Sequence, residues 1–244
     1  MKIFLWILEI IVLYFAIELC VFWYKYNHLP YLAAPDQSTK TLGSGPTLKY
    51  IAAGDSTAVG IGASNVTKTY GYQIAQFFAR DSAVEYKNIA VKGFKTEDAV
   101  KNQLDEIIAY NPDIITISIG GNDATHLVSA NNIISNYKTI ISRLENETGA
   151  KIYITDIPQF HSATLLPRFY VGLLEYRSSK INPQILKLAD SRVKIIDIHN
   201  FGWPQFPDIT KTTAADGFHP NDIGYKNWTD AFLDKISKDF KKSV

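Results

Sequence analysis

From residue 48 onward, short apolar runs alternate with longer stretches in which apolar residues recur every three or four positions. The runs are LKYIAAG (48–54), VEYKNIA (84–90), DIITISI (113–119), KIYITDI (151–157) and VKIIDI (193–198). Their length and their content of Ile, Val and Tyr suit strands. Helices are expected at about 67–80, 97–110 with Thr96 as N-cap, 130–148, 170–189 with a break or kink near Asn182-Pro183, and 221–240. In the last of these Ile223, Trp228, Phe232, Ile236 and Phe240 recur at helical spacing. Five strands alternating with helices predict an α/β domain, a parallel sheet with helices on both faces. Right-handed crossovers narrow the topology, and a flavodoxin-like order, 2-1-3-4-5, is expected.

The first 47 residues follow another pattern. Residues 3–24 read IFLWILEIIVLYFAIELCVFWY. As a helix this segment spans ~33 Å, enough for a bilayer core of about 30 Å. Trp6 lies near one end, and Trp23 and Tyr24 near the other, as interfacial aromatics do. A cleaved signal peptide is the rival reading. Its apolar region is shorter and is followed by a small-x-small site, whereas here Ala33-Ala34 runs into Pro35. Cys20 follows Glu18-Leu19 and lacks the small residue of a lipoprotein signal. Residues 1–25 are therefore expected to be an uncleaved single-pass anchor, 26–47 a linker, and 48–244 the globular domain. Lys2 and Lys25 flank the helix almost equally, so an extracytoplasmic domain rests on the habit of N-terminal anchors rather than on charge.

Glu9 and Glu18 interrupt the apolar segment, and ionisable groups in a spanning helix are costly. At ~100° per residue they point to opposite sides and make no polar stripe. Protonation or snorkelling to the headgroups is one account. A partner helix in the membrane is the other.

Composition changes little. Of 244 residues, 46% are hydrophobic and 20% charged, with a net charge of +1, which is globular. Near-neutral charge gives no case for nucleic acid. Cys20 is the one cysteine, so no internal disulfide and no zinc-ligand cluster is expected.

Candidate chemistry gathers at the strand ends. In open α/β sheets, sites form at the carboxyl ends of the strands. The first predicted strand runs into Gly54-Asp55-Ser56, the second into Ala90-Val91-Lys92-Gly93, the third into Gly120-Gly121-Asn122-Asp123. After the fifth and a long loop comes Asp216-Gly217-Phe218-His219. A serine hydroxyl needs a base to accept its proton, and His219 is the candidate. Asp216, three residues earlier, can orient the imidazole from a tight turn. Backbone N–H groups of Ser56 and Gly93 and the Asn122 amide could meet an oxyanion. Asp55 and Asp123 are expected to fix turns. His126, His161 and His199 lack a partner pattern. No dinucleotide or phosphate-loop fingerprint is present, and Ala58 breaks the Gly-x-Ser-x-Gly nucleophile elbow.

These four blocks, in this order, resemble those of the SGNH (GDSL-type) hydrolases, over roughly residues 48–240. The resemblance implies a three-layer α/β/α fold and metal-free, cofactor-free hydrolysis of acyl or acetyl esters. Ser56 is then the nucleophile, His219 the base and Asp216 its acid partner, with Gly93 and Asn122 as oxyanion donors. Thr57-Ala58 departs from the Leu-Ser or Leu-Thr that many members carry after the serine, which bears on selectivity.

Two loops are expected to wall a substrate pocket, 158–170 and 200–212. Their Phe160, His161, Leu165, Leu166, Phe169, Trp203 and Phe206 would suit an acyl chain, or simply pack over the sheet edge. The expected function is a membrane-anchored serine esterase acting on lipid or lysophospholipid esters, with acetyl esters of cell-envelope sugars next. A catalytically silent ligand-binding module at the membrane is the alternative.

Overall fold

The alternation resolves into an α/β sandwich in the computed structural model, which describes residues 2–201 and 209–240. In chain order come α1 (Lys2–His28), β1 (Lys40–Leu42), β2 (Thr47–Gly54), α2 (Ser56–Val59), α3 (Tyr70–Phe78), β3 (Ala83–Asn88), α4 (Thr96–Asn102) and α5 (Leu104–Tyr110). Then follow β4 (Ile114–Ser118), α6 (Gly121–Thr125), α7 (Ala130–Glu147), β5 (Lys151–Thr155), α8 (Arg168–Leu186), β6 (Val193–Ile196) and α9 (Asp222–Phe240).

The sheet order is β1-β3-β2-β4-β5-β6. Strands β2 to β6 run parallel. Counted along the chain, these five lie in the order 2-1-3-4-5. The expected five-stranded, all-parallel sheet is corrected by β1, which pairs antiparallel with the outer edge of β3, Lys40 opposite Tyr86. Three residues carry no readable alternation, but an unpaired edge offers N–H and C=O groups to any nearby extended chain.

Alternate residues of each strand face opposite sides. Ile51, Ile115, Ile152, Ile154 and Ile195 join one core with residues of α5, α7 and α8. Tyr50, Ala52, Ile114, Tyr153 and Ile196 join a second core with residues of α3 and α9. All five residues of β4 are buried, which is why that strand reads as a continuous apolar run. Burying an Ile or Leu side chain contributes about 1.5–3 kcal/mol, so the two cores fix the sheet from both faces.

Two helices differ from expectation. The run at 97–110 is split at Gln103, whose φ of −114° closes α4 before α5 begins. The N-cap of α4 is Lys95, with Thr96 inside the helix. By contrast α8 is not broken at Asn182-Pro183 and continues through Pro183.

The apolar α1 is present, 27 residues long, and Ile3–His28 is long and apolar enough to cross a bilayer. Residues 3–17 are exposed. The stretch expected as a linker adheres to the domain: Leu32 packs on the second core, and β1 joins the sheet.

Candidate active site

The sheet presents Ser56 at its carboxyl rim because β2 cannot continue. A Cβ on Gly54 would overlap the Ser118 carbonyl oxygen of β4, so only glycine fits, and its φ of 121° turns the chain. Asp55 then caps α2: its carboxylate accepts from Thr57 N at 2.9 Å, and its own N–H donates to Ser118 O at 2.9 Å. Ser56 is the first residue of α2 and only 6% exposed.

Gln103, the residue that splits α4 from α5, clamps this corner. Its Oε1 accepts from Gly54 N at 3.1 Å, and its Nε2 donates to Gly54 O at 2.9 Å and Ile89 O at 3.1 Å. No sequence motif marks it. The one local signal is a polar residue at an inward position of the helical repeat.

The loop before α9 brings the imidazole to the serine. Asp216 Oδ1 accepts from Phe218 N and His219 N, both at 3.0 Å, a tight turn written by adjacent residues. Asp216 Oδ2 lies 2.6 Å from His219 Nδ1. His219 Nε2 lies 2.9 Å from Ser56 Oγ. An ionised carboxylate only accepts hydrogen bonds, so Nδ1 carries the ring proton and Nε2 is free to accept from the hydroxyl. Burial pushes the Asp216 carboxyl up, but the His219 ring and the two turn N–H groups outweigh it and hold it below the usual range. Gly62 lets the segment after α2 pass this loop, since a Cβ there would overlap the Pro220 carbonyl oxygen.

Asn122 stands in the first turn of α6 and its Nδ2 donates to Phe94 O at 3.0 Å, leaving a second amide hydrogen. Gly93 sits on an exposed turn after β3 with φ 84° and open space around it. Among the described residues, the N–H groups of Ser56 and Gly93 donate no hydrogen bond within the chain. Asp123 is buried and accepts from Thr96 N at 2.9 Å and Thr96 Oγ1 at 2.6 Å, tying α6 to the start of α4. Burial pushes the Asp55 carboxyl up to about 7, against its Thr57 bonds. Among the described residues no cluster of His, Cys, Asp and Glu is placed to hold a metal.

An open cleft of about 940 Å³, part of it bulk solvent, leads to Ser56 and His219. Its apolar wall is Phe160, Ala163, Ile198, Phe201, Phe218 and Trp228, and Gln159, Ser162 and Asn227 add polar atoms. Of the expected wall residues Phe160 lines the cleft; Trp203 and Phe206 lie outside the described residues. The others do not line this cleft. Leu165 spends its N–H on Gly217 O at 2.9 Å. Leu166 packs against the first core, and Phe169 stacks edge-on against Phe15 of α1. His161 faces Glu175, its Nε2 3.5 Å from Oε2, and His199 approaches the same oxygen at 3.4 Å. His126 Nδ1 lies 2.8 Å from Asn122 O on the surface.

The chain is similar to known proteins in sequence family and in fold. A model of the GDSL-like lipase/acylhydrolase family matches residues 52–226. No curated protein matches the chain by sequence. Among solved structures, the lipase Lip_vut3 from a goat rumen metagenome shares 20% identity, with TM-score 0.60 over 75% of this chain and 95% of that one. A Clostridium thermocellum family 3 carbohydrate esterase shares 16%, with TM-score 0.62 over 80% and 100%. A lipase/acylhydrolase from Enterococcus faecalis shares 17%, with TM-score 0.56 over 81% and 100%.

Proposed function

The chain belongs to the GDSL-like lipase/acylhydrolase family and is an ester-hydrolysing enzyme, and we propose that Ser56, His219 and Asp216 perform its chemistry. The reading is carried by one observation, the unbroken chain from Ser56 Oγ through the imidazole to the Asp216 carboxylate. Ser56 Oγ attacks the ester carbonyl carbon as its proton passes to His219 Nε2. Asp216 stabilises the imidazolium that forms. The tetrahedral oxyanion is met by the N–H groups of Ser56 and Gly93 and the Asn122 amide. Collapse expels the alcohol with the proton from His219 and leaves an acyl-enzyme. Water, deprotonated by the same nitrogen, then releases the acid.

For the substrate, the apolar cleft wall and the apolar α1 support acyl esters of lipids or lysophospholipids. The polar Gln159, Ser162 and Asn227 in the same cleft favour the second reading, acetyl esters on cell-envelope sugars. In both, α1 is a single-pass anchor through residues 3–24 and the catalytic domain, 48–244, lies outside the cytoplasm. The helix partner expected for Glu9 and Glu18 is not retained, because Glu18 meets the domain itself: Oε2 accepts from Arg168 N at 2.8 Å.

Hydrolysis of p-nitrophenyl esters of rising chain length, by the wild type and by Ser56→Ala, tests the reading. Activity that peaks beyond acetate and vanishes in the variant is expected. A peak at acetate removes the lipid reading, and activity that survives in Ser56→Ala removes the proposed nucleophile.

A further inference from the structure

The contact between α1 and the domain has a consequence for where the domain sits. Glu18, Phe22, Lys25 and Leu29 are half-buried while their neighbours stay exposed. Their spacing of four, three and four puts them on one helical face. That face rests on residues 164–169. Lys25 Nζ donates to Thr164 O at 2.6 Å, Glu18 Oε2 accepts from Arg168 N, and the Phe15 and Phe169 rings meet at 4.8 Å. A carboxylate at the first turn of α8, a 19-residue helix, also meets its positive end. Glu18 is thereby satisfied without leaving the apolar helix.

Depth follows from length. At ~1.5 Å per residue α1 is ~40 Å long, and Glu18 lies ~15 Å before its end at His28. A hydrocarbon core of about 30 Å that begins near Lys2 reaches roughly residue 22. Phe15 and Glu18 then lie inside it, and so does whatever is docked on them. The opposite face of the same turns offers no shelter from lipid, with Leu19 52% and Trp23 66% exposed.

The surface of α8 continues this strip. Phe169, Leu173 and Tyr176 stand at i, i+4 and i+7, on one face, and Leu173 and Tyr176 are exposed. Lys180, one turn further, carries its amino group 5.5 Å from the Tyr176 ring centre. Apolar and aromatic side chains followed by a cation form the order found at membrane interfaces.

We propose that residues 164–169 and the first turns of α8 are seated in the bilayer that α1 crosses, where headgroups meet acyl chains, with Phe169 reaching into the hydrocarbon. The partner of this surface is the lipid itself. The seated loop is bonded to the catalytic turn through Leu165 N to Gly217 O, so the cleft is held beside the membrane surface, where bilayer-borne esters are presented. This deepens the lipid reading above and rests on α1 being an anchor.

The full chain, with Cys20→Ser, is reconstituted in phosphatidylcholine vesicles and labelled with an environment-sensitive fluorophore at one new cysteine. The positions are Leu173→Cys, Tyr176→Cys, Leu13→Cys in α1, and Lys238→Cys on α9, across the sheet from α8. Phosphatidylcholine carrying a spin-label quencher high in its acyl chain is then included. Leu173→Cys and Tyr176→Cys are expected to lose fluorescence as Leu13→Cys does, while Lys238→Cys keeps it. If both α8 labels behave like Lys238→Cys while Leu13→Cys is quenched, the seating is overturned and the anchor stands. If Leu13→Cys is also unquenched, the anchor and the seating fall together. Two α8 positions keep the test readable if one variant does not fold.

Discussion

Ser56 and Glu18 each meet a partner more than a hundred residues away, and the two settings differ in how tightly that meeting is determined. Ser56 sits on a corner fixed by Gly54, by the Asp55 cap and by three bonds from Gln103. Its partner His219 is fixed by an Asp216 carboxylate that accepts three bonds. Glu18 lies on a helix whose residues 3–17 are not covered by the domain, and a few contacts hold it in place. The lesson is that the rim is over-determined, so changes there act on chemistry. Contacts at the α1 junction are few, so changes there act on placement.

Substitution at the rim breaks this contrast most sharply. Ser56→Ala is expected to lower kcat by about 10⁴–10⁶-fold, with an unchanged melting temperature. A loss of a few fold, read by ester hydrolysis, would make Ser56 a helix start and no more. Asn122→Ala removes one oxyanion donor and is expected to cost about 10²–10³-fold in kcat with KM nearly constant. An effect confined to KM would place Asn122 in substrate binding instead.

Buried carboxyls of the rim sharpen the contrast through pH. Asp156 is fully buried, and burial, with the nearby Asp197, pushes its carboxyl up to about 8. A raised carboxyl favours the protonated folded state. Its contribution is fully present below the unfolded value of 3.8 and is lost as pH rises through about 8. The melting temperature should therefore fall across that window, and Asp156→Asn should flatten the slope. Asp55, raised to about 7, adds a fall of the same sign over a narrower window. A melting temperature independent of pH in the wild type would contradict this.

The smallest effect is expected at the other region. Glu18→Gln should leave kcat unchanged and cost ~0.3–1 kcal/mol at the start of α8. A loss of kcat comparable to that of Asn122→Ala would show that α1 is part of the rim after all.

What could be read from the sequence divides along the same line. Gly54-Asp55-Ser56 and Asp216-Gly217-Phe218-His219 were legible because their geometry is made by covalent neighbours and their side chains close turns locally. The layers were legible because short apolar runs alternate with stretches of helical period, which predicts helices on both faces of a parallel sheet. Wall residues were not, because an apolar residue in a loop carries no period to say which way it points: Phe160, Ile198 and Phe218 line the cleft and Leu165 does not. Gln103 was hidden, since its two partner residues, Gly54 and Ile89, lie on two other segments. Hydropathy revealed α1 but not its seat, because Glu18 and Arg168 are joined only by the fold.

Labelling the folded protein with a fluorophosphonate and mapping the adduct by tandem mass spectrometry tests the proposed chemistry most directly. A single adduct on the peptide that carries Ser56 is predicted. An adduct on a different serine, or none on folded protein that hydrolyses esters, would contradict it.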